Sequence, residues 1–258
     1  MGKKNSTTLL NELENECHVW YCFPEEITDE VILAEYRSIL SIEERDKCER
    51  FYFEKDQHSY LVSHAFLRKV LSSYCDVLAD EWRFTCNRYG KPDISADIRC
   101  PPMKFNLSHT DGMSVVAVTL NAACGVDVEN ITRRSKMLAV AERMFAEAEV
   151  NVLRSCDDSN MQASFFDYWT LREAYVKAIG TGLGGSSKDF YFTVDEQNQG
   201  NREARLYFVE SEPKDKISWV FTLLSPSLEH VIAVSVEHVN SNDLQVESVP
   251  VISKKFLL

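Results

Sequence analysis

This 258-residue chain predicts an α+β protein of two lobes, each a small, mostly antiparallel sheet with helices against it. Three observations lead there. The hydrophobic period alternates between helix-like and strand-like, so that each half of the chain carries helices and then strands. The strands of each half follow one another through short connections, which suits antiparallel neighbours better than crossovers. With 45% hydrophobic and 26% charged residues, the chain has the make-up of a folded globular protein, and its length allows two lobes of roughly 120 residues. The expected boundaries are 1–120 for the N-terminal lobe, 121–240 for the C-terminal lobe and 241–258 for a polar, irregular tail lying on the surface or disordered.

The elements read in order. Val19-Trp20-Tyr21-Cys22-Phe23 is a short buried strand closed by Pro24. Helical spacing runs over 29–40 and restarts after Ser41, which with Glu44 three positions on forms a capping box. A third helix over 57–74 places Leu61, His64, Ala65, Leu67 and Leu71 on one side. Residues 82–86 look like a strand, and Asn87-Arg88-Tyr89-Gly90-Lys91-Pro92 has the composition of a turn. Strands over 105–107, 114–120 and 124–128 follow in quick succession, the last two joined by Asn121-Ala122-Ala123. From Lys136 helical spacing returns through Met144, Phe145, Val150 and Leu153. A longer helix over 164–179 stops at the glycine-rich Gly180-Thr181-Gly182-Leu183-Gly184-Gly185. Strand-like runs at 190–194, 205–208, 217–224 and 231–236 complete the second lobe.

Charge narrows the function. There are 28 Lys and Arg against 40 Asp and Glu, a net charge of −12, which disfavours nucleic acid as a partner. The acidity is uneven. Residues 1–36 hold two Lys against eight acids and 121–258 hold fourteen basic against twenty acidic residues, whereas 37–104 hold twelve basic against eleven. That middle stretch contains Arg45, Lys47, Arg50, Arg68, Lys69, Arg88 and Lys91, either solvated helix faces or the surroundings of an anion. Eight cysteines without a C-x-x-C pair and no signal peptide suggest reduced thiols in the cytoplasm. No apolar run is long enough to span a bilayer, so no membrane is expected.

The chemistry-bearing residues cluster in the second half. In Gly125-Val126-Asp127-Val128-Glu129, strand alternation sends Asp127 and Glu129 to one face and the valines to the core. Two neighbouring carboxylates need a cation, a shared proton or full solvation. Glu173 and Lys177, four apart, share a helix face, either as an ordinary helical ion pair or as a carboxylate ligand beside a phosphate-neutralising cation. Three carboxylates without paired His or Cys suit a hard ion such as Mg²⁺. Phe105-Asn106-Leu107-Ser108-His109 ends a strand with a hydroxyl and an imidazole, which as sequence neighbours do not form a nucleophile–base pair and read better as an anion-contacting loop or a structural histidine. There is no P-loop, and the glycine run follows a helix instead of opening one.

Together these segments resemble the Sfp-type 4′-phosphopantetheinyl transferases. That family's patterns are (I/V)-G-(I/V)-D-x-E, W-(S/T)-x-K-E-(A/S)-x-x-K about 40 residues later, and upstream F-N-(I/L)-S-H and Y-G-K-P. Gly125 to Glu129, Trp169 to Lys177, Phe105 to His109 and Tyr89 to Pro92 match them in the same order. The resemblance implies two lobes related by a pseudo-twofold, with coenzyme A in the cleft between them. It implies Asp127, Glu129 and Glu173 as Mg²⁺ ligands, and Glu173 and Lys177 as catalytic groups. Lys47, Lys91, Ser108, His109 and Lys177 would contact coenzyme A. The activity it implies is transfer of phosphopantetheine to a serine of an acyl or peptidyl carrier protein, releasing 3′,5′-ADP, in a cytoplasmic monomer of secondary-metabolite biosynthesis. Arg172 stands where most relatives have Lys, and Glu44 where some carry a further basic residue near the 3′-phosphate. The rival readings are another Mg²⁺-dependent enzyme acting on a pyrophosphate-containing substrate, and a noncatalytic carrier-binding protein.

Overall fold

The computed structural model of the chain describes residues 6–133, 136–180, 188–195, 201–210, 217–238 and 251–255. In order, the elements are α1 (Ser6–Glu12), β1 (Cys17–Cys22), a 3-10 turn (Pro24–Glu26), α2 (Glu30–Ile39), α3 (Ile42–Glu49), α4 (Glu54–Ser72), β2 (Phe84–Cys86), β3 (Pro92–Ile94), β4 (Met103–Thr110), β5 (Met113–Leu120) and β6 (Cys124–Asn130). They continue with α5 (Met137–Met144), α6 (Glu147–Ser155), α7 (Asp158–Ile179), β7 (Phe190–Asp195), β8 (Asn201–Phe208), β9 (Ser218–Ser227), β10 (His230–His238) and β11 (Val251–Lys255). One sheet has the order β11-β1-β5-β4, the second β6-β10-β9-β8-β7, and β2 and β3 form a separate hairpin. No described helix is long and apolar enough to cross a membrane.

The apolar faces stack these parts into four layers. The helices before β2 bury Leu33, Tyr36, Leu61, Phe66 and Leu71 against Phe105, Val116 and Val118 on one face of the first sheet. The opposite face, with Val19, Val115 and Ala117, meets Val126, Val128, Ile232 and Val234 of the second sheet. Beyond that sheet, α5, α6 and α7 bury Phe145, Leu153, Phe165, Leu171 and Ala174 against Phe192, Phe221 and Ala233. Strand alternation therefore gives each sheet two buried faces, one for its helices and one for the other sheet. The edge strands β4 and β6 meet side by side, where Val126 N donates to Asn106 Oδ1 at 2.9 Å.

Local chemistry sets the element ends. Asp29 caps α2, its Oδ1 accepting from Val31 N at 2.8 Å. The Ser41–Glu44 box is formed in both directions at the start of α3. The helical run expected from Lys136 is two helices, because Glu149 accepts from Ala146 N and starts α6 afresh. The helix expected over 164–179 begins earlier, at the Asp157 cap, and ends at Gly180 with φ 66°, a left-handed conformation that favours glycine. The rest of that glycine run lies outside the described residues. Residues 251–255, expected in an irregular tail, instead pair in parallel with β1. The strands run longer than the apolar runs that announced them, since backbone pairing continues past the buried positions.

Two features fix α7. A Cβ on Gly125 would lie 2.0 Å from Ala174 O and 2.5 Å from Ala178 N, so only glycine lets the helix sit this close to β6. The second is a buried ion pair. Arg172 Nε donates to Glu149 Oε2 at 3.1 Å and its Nη2 to the same oxygen and to Phe190 O, between the rings of Phe145 and Phe190. Glu149 Oε1 accepts from Phe192 N, so α6, α7 and β7 are tied at one point.

Gly125→Ala is expected to destabilise the protein by about 3 kcal/mol or more, because the methyl group meets backbone that cannot rotate away. Glu149→Ala takes the carboxylate away from a buried guanidinium and carries a similar cost, about 3 kcal/mol or more. Thermal or denaturant unfolding of both variants checks this; wild-type stability in either would contradict the packing described.

Candidate active site

Strand β6 and helix α7 supply the site. Gly125, Asp127 and Glu129 share the face of β6 turned toward α7, and Val126 and Val128 are buried between the sheets. On α7, Leu171, Ala174 and Ala178 are buried while Glu173 and Lys177 remain partly accessible. The close approach at Gly125 therefore brings Lys177 onto Asp127. Lys177 Nζ donates to Asp127 Oδ1 at 2.6 Å and to Ser108 Oγ at 2.8 Å, and Ser108 Oγ donates to the same Asp127 oxygen at 2.9 Å. The other oxygen of Asp127, Oδ2, is buried with no hydrogen-bond partner.

The electrostatics follow from burial and crowding. Burial pushes the Asp127 carboxyl up, opposed by Lys177 and Ser108. Glu129 and Glu173 are also pushed up, first by burial and then by the charge of Asp127. Glu129 is partly compensated by Trp169 Nε1, which donates to its Oε1 at 3.0 Å, and by Arg133 at 3.6 Å. Three carboxylates are thus held where negative charge is costly, which favours a cation. Their oxygens are hard donors, and the orphaned Asp127 Oδ2 is a position for one, so the residues fit a divalent ion. The ligand atoms of the three do not all converge within 4.8 Å; among the described residues the set that does is Glu12, Glu16 and His18. His18 there also bonds Tyr74 Oη at 2.7 Å, and Trp20 Nε1 donates to that hydroxyl.

A cleft of about 1100 Å³ opens over this group. Ser108, His109, Asp127, Glu129 and Lys177 line it together with residues of α2, α3, α4 and the segment between α3 and α4, including Arg37, Arg45, Lys55 and Tyr60. His109 is held low by burial and then by the charges of Lys177 and Lys47. Lys47 itself lies over the Tyr60 ring, 5.4 Å from its centroid. His64, stacked on Tyr60, is lowered to about 4, mainly by burial.

Three sequence expectations change here. Lys91 does not line the cleft: its ammonium donates to Ala178 O at 2.7 Å and Cys124 O at 3.1 Å. Glu44 is occupied by Arg68, which is itself buried and donates to Ala79 O and Trp82 O. Arg172 points into the second core, toward Glu149, and not into the cleft. Of the middle basic stretch, Arg45 reaches the cleft, whereas Arg68 and Lys69 are engaged by Glu44 and Glu35. Sequence reasoning passed over Asn106, whose role of joining β4 to β6 was signalled only by a buried amide in an apolar strand, and Trp169, whose indole orients Glu129.

Comparison with known proteins places the chain in a family. Residues 123–235 match the family model of the 4′-phosphopantetheinyl transferase superfamily, and residues 28–121 match that of the 4′-phosphopantetheinyl transferase N-terminal region. The chain is 32% identical to the 4′-phosphopantetheinyl transferase HetI of Nostoc sp., over 67% of this chain and 73% of the relative. It is 30% identical to the 4′-phosphopantetheinyl transferase Sfp of Bacillus subtilis, over 64% and 70%. It is 27% identical to the L-aminoadipate-semialdehyde dehydrogenase-phosphopantetheinyl transferase of Rattus norvegicus, over 85% and 72%. A holo-(acyl-carrier-protein) synthase from Bacillus anthracis, solved with CoA (3′,5′-ADP), superposes with a TM-score of 0.37 at 26% identity, over 45% of this chain and 94% of that one.

A folded-state pKa above the unfolded value means that stability falls as pH rises from the unfolded carboxyl pKa, about 4.3, through the raised value. Glu173→Gln removes one of the crowded charges. Without divalent cations its Tm is expected to exceed that of the wild type at pH 7.5 by on the order of 2 °C, and the gain to vanish near pH 4. A lower Tm than wild type at pH 7.5 would contradict the crowding.

Proposed function

The chain belongs to the 4′-phosphopantetheinyl transferase superfamily, and from that premise we propose that it transfers the phosphopantetheine arm of coenzyme A to a serine of an apo acyl or peptidyl carrier protein, releasing 3′,5′-ADP. The observation that carries this reading is the group at the cleft floor: Lys177 Nζ bonded to Asp127 and Ser108, beside a buried Asp127 oxygen without a partner.

Asp127, Glu129 and Glu173 would hold Mg²⁺. When bound, the ion supplies charge neutralisation for the pyrophosphate. The remaining work belongs to side chains of this chain. Lys177 exchanges its bond to Asp127 for phosphate oxygens of the substrate and stabilises the charge that builds on them. The carrier serine oxygen bonds the β-phosphorus as the bridging P–O bond to the 3′,5′-ADP phosphate breaks. The serine proton passes to Glu173, and Lys177 protonates the departing phosphate. Ser108 keeps Lys177 aimed at the cleft. His109 and Lys47 would meet the adenosine end and its 3′-phosphate, an anion that favours the protonated imidazole. One chain supplies both walls of the cleft, which is consistent with action as a monomer. Residues of both lobes, 1–120 and 121–240, line the cleft.

Incubation with coenzyme A, Mg²⁺ and an apo carrier protein tests the reading by mass spectrometry. The carrier is expected to gain one phosphopantetheine arm, and an unmodified carrier across a panel of acyl and peptidyl carriers would refute the assignment. Glu173→Gln and Lys177→Met are each expected to lower kcat by about 100-fold or more while the protein remains folded; activity near wild type in either would remove that residue from the mechanism.

A further inference from the structure

Two elements carry the four reacting side chains, and a turn from the first half of the chain ties them together. The last carbonyls of a helix have no partner within it. At the end of α7, Ala178 O accepts from Lys91 Nζ at 2.7 Å and Gly180 O from Asn87 Nδ2 at 2.9 Å. The same Lys91 ammonium donates to Cys124 O at 3.1 Å, at the start of β6. Ala178 follows Lys177 in sequence, and Cys124 precedes Gly125, where α7 and β6 come closest. A positive charge at the helix C-terminus also favours this placement.

The turn that presents Lys91 is itself braced. Asn87 Oδ1 accepts from Tyr89 N at 2.9 Å and Lys91 N at 3.0 Å, and Asn87 N donates to Lys91 O at 3.0 Å. The lysine stem packs against Gly180, where a Cβ would come within 2.9 Å of Lys91 Cδ. An ammonium has three protons, and two are committed to these carbonyls.

We propose that Lys91, with Asn87, is an inter-lobe staple that sets the spacing of β6 and α7, making Lys91 a positioning residue for phosphopantetheine transfer and not a contact of coenzyme A. The proposal rests on the functional reading above. It separates two kinetic outcomes, because a contact of coenzyme A acts on its binding, whereas a staple acts on the alignment reached in the transition state.

The test uses the full chain with coenzyme A, Mg²⁺ and an apo carrier, comparing Lys91→Met, Lys91→Arg and Asn87→Ala by kcat, by KM for coenzyme A, and by calorimetric Kd for 3′,5′-ADP. Lys91→Met is expected to lower kcat by on the order of 100-fold, the scale of a misalignment of about 1 Å. KM and Kd should stay within about twofold of wild type. Lys91→Arg, which keeps donors at this place, should recover most of kcat, and Asn87→Ala should show a smaller loss confined to kcat. A rise of about tenfold or more in Kd for 3′,5′-ADP with kcat preserved would overturn the proposal, as would a Lys91→Met protein indistinguishable from wild type. If Lys91→Met does not fold, Asn87→Ala decides, and an unchanged kcat there overturns the staple. A wild-type protein that modifies no carrier refutes the functional reading itself; an active wild type beside an unaffected Lys91→Met refutes the staple alone.

Discussion

The contact between α7 and β6 at Gly125 is the constraint on which the rest depends. With no side chain at that position, the helix backbone rests against the strand, and the residues two and four places along β6 come within reach of those on α7. Lys177 then meets Asp127 at hydrogen-bond distance, and Glu173 lies close enough for the charge of Asp127 to raise its carboxyl. A helix held one side chain farther out would carry the same residues and lose their conjunction. The buried Glu149–Arg172 pair fixes the rotation of the helix, and the Lys91 and Asn87 bonds fix its end.

Burial here serves opposite purposes at neighbouring positions on one helix. At Arg172 the charge is enclosed, stacked between two rings and matched by Glu149, so the pair acts as a joint. At Glu173, one residue on, the charge is only partly enclosed and lacks a matching cation strong enough to offset Asp127. A helix turns by about 100° per residue, so adjacent residues face different surroundings. The joint absorbs the cost of rigidity on one side of α7 and leaves the other side electrostatically unsatisfied, which is the condition for binding a cation and exchanging a proton.

Much of this was legible in the letters. The Ser41–Glu44 box located α3 because both partners lie within four residues. The shared face of Asp127 and Glu129 followed from strand alternation, and that of Glu173 and Lys177 from helical spacing. What could not be read were partners remote in sequence. Glu44 looked like a missing cation until Arg68, 24 residues on, was seen to bond it. Arg172 looked like an altered phosphate contact because nothing local marks Glu149 as its partner. Lys91 sits in a turn whose composition says nothing of the helix end it caps, 87 residues away. The split between α5 and α6 was hidden because the apolar spacing continues across it, and β11 because short polar strands carry little pattern.

The polar groups that join these elements also close the exposed sides of the sheets. At β6 the amide of Val126 is taken by Asn106, and at β7 the outer carbonyl of Phe190 and amide of Phe192 are taken by Arg172 and Glu149. Unpaired groups along a terminal strand are templates on which another chain can add a strand and begin to aggregate. In the second sheet both terminal strands have such groups occupied by side chains, so the contacts that hold α7 in register also make that sheet a poor seed for self-association.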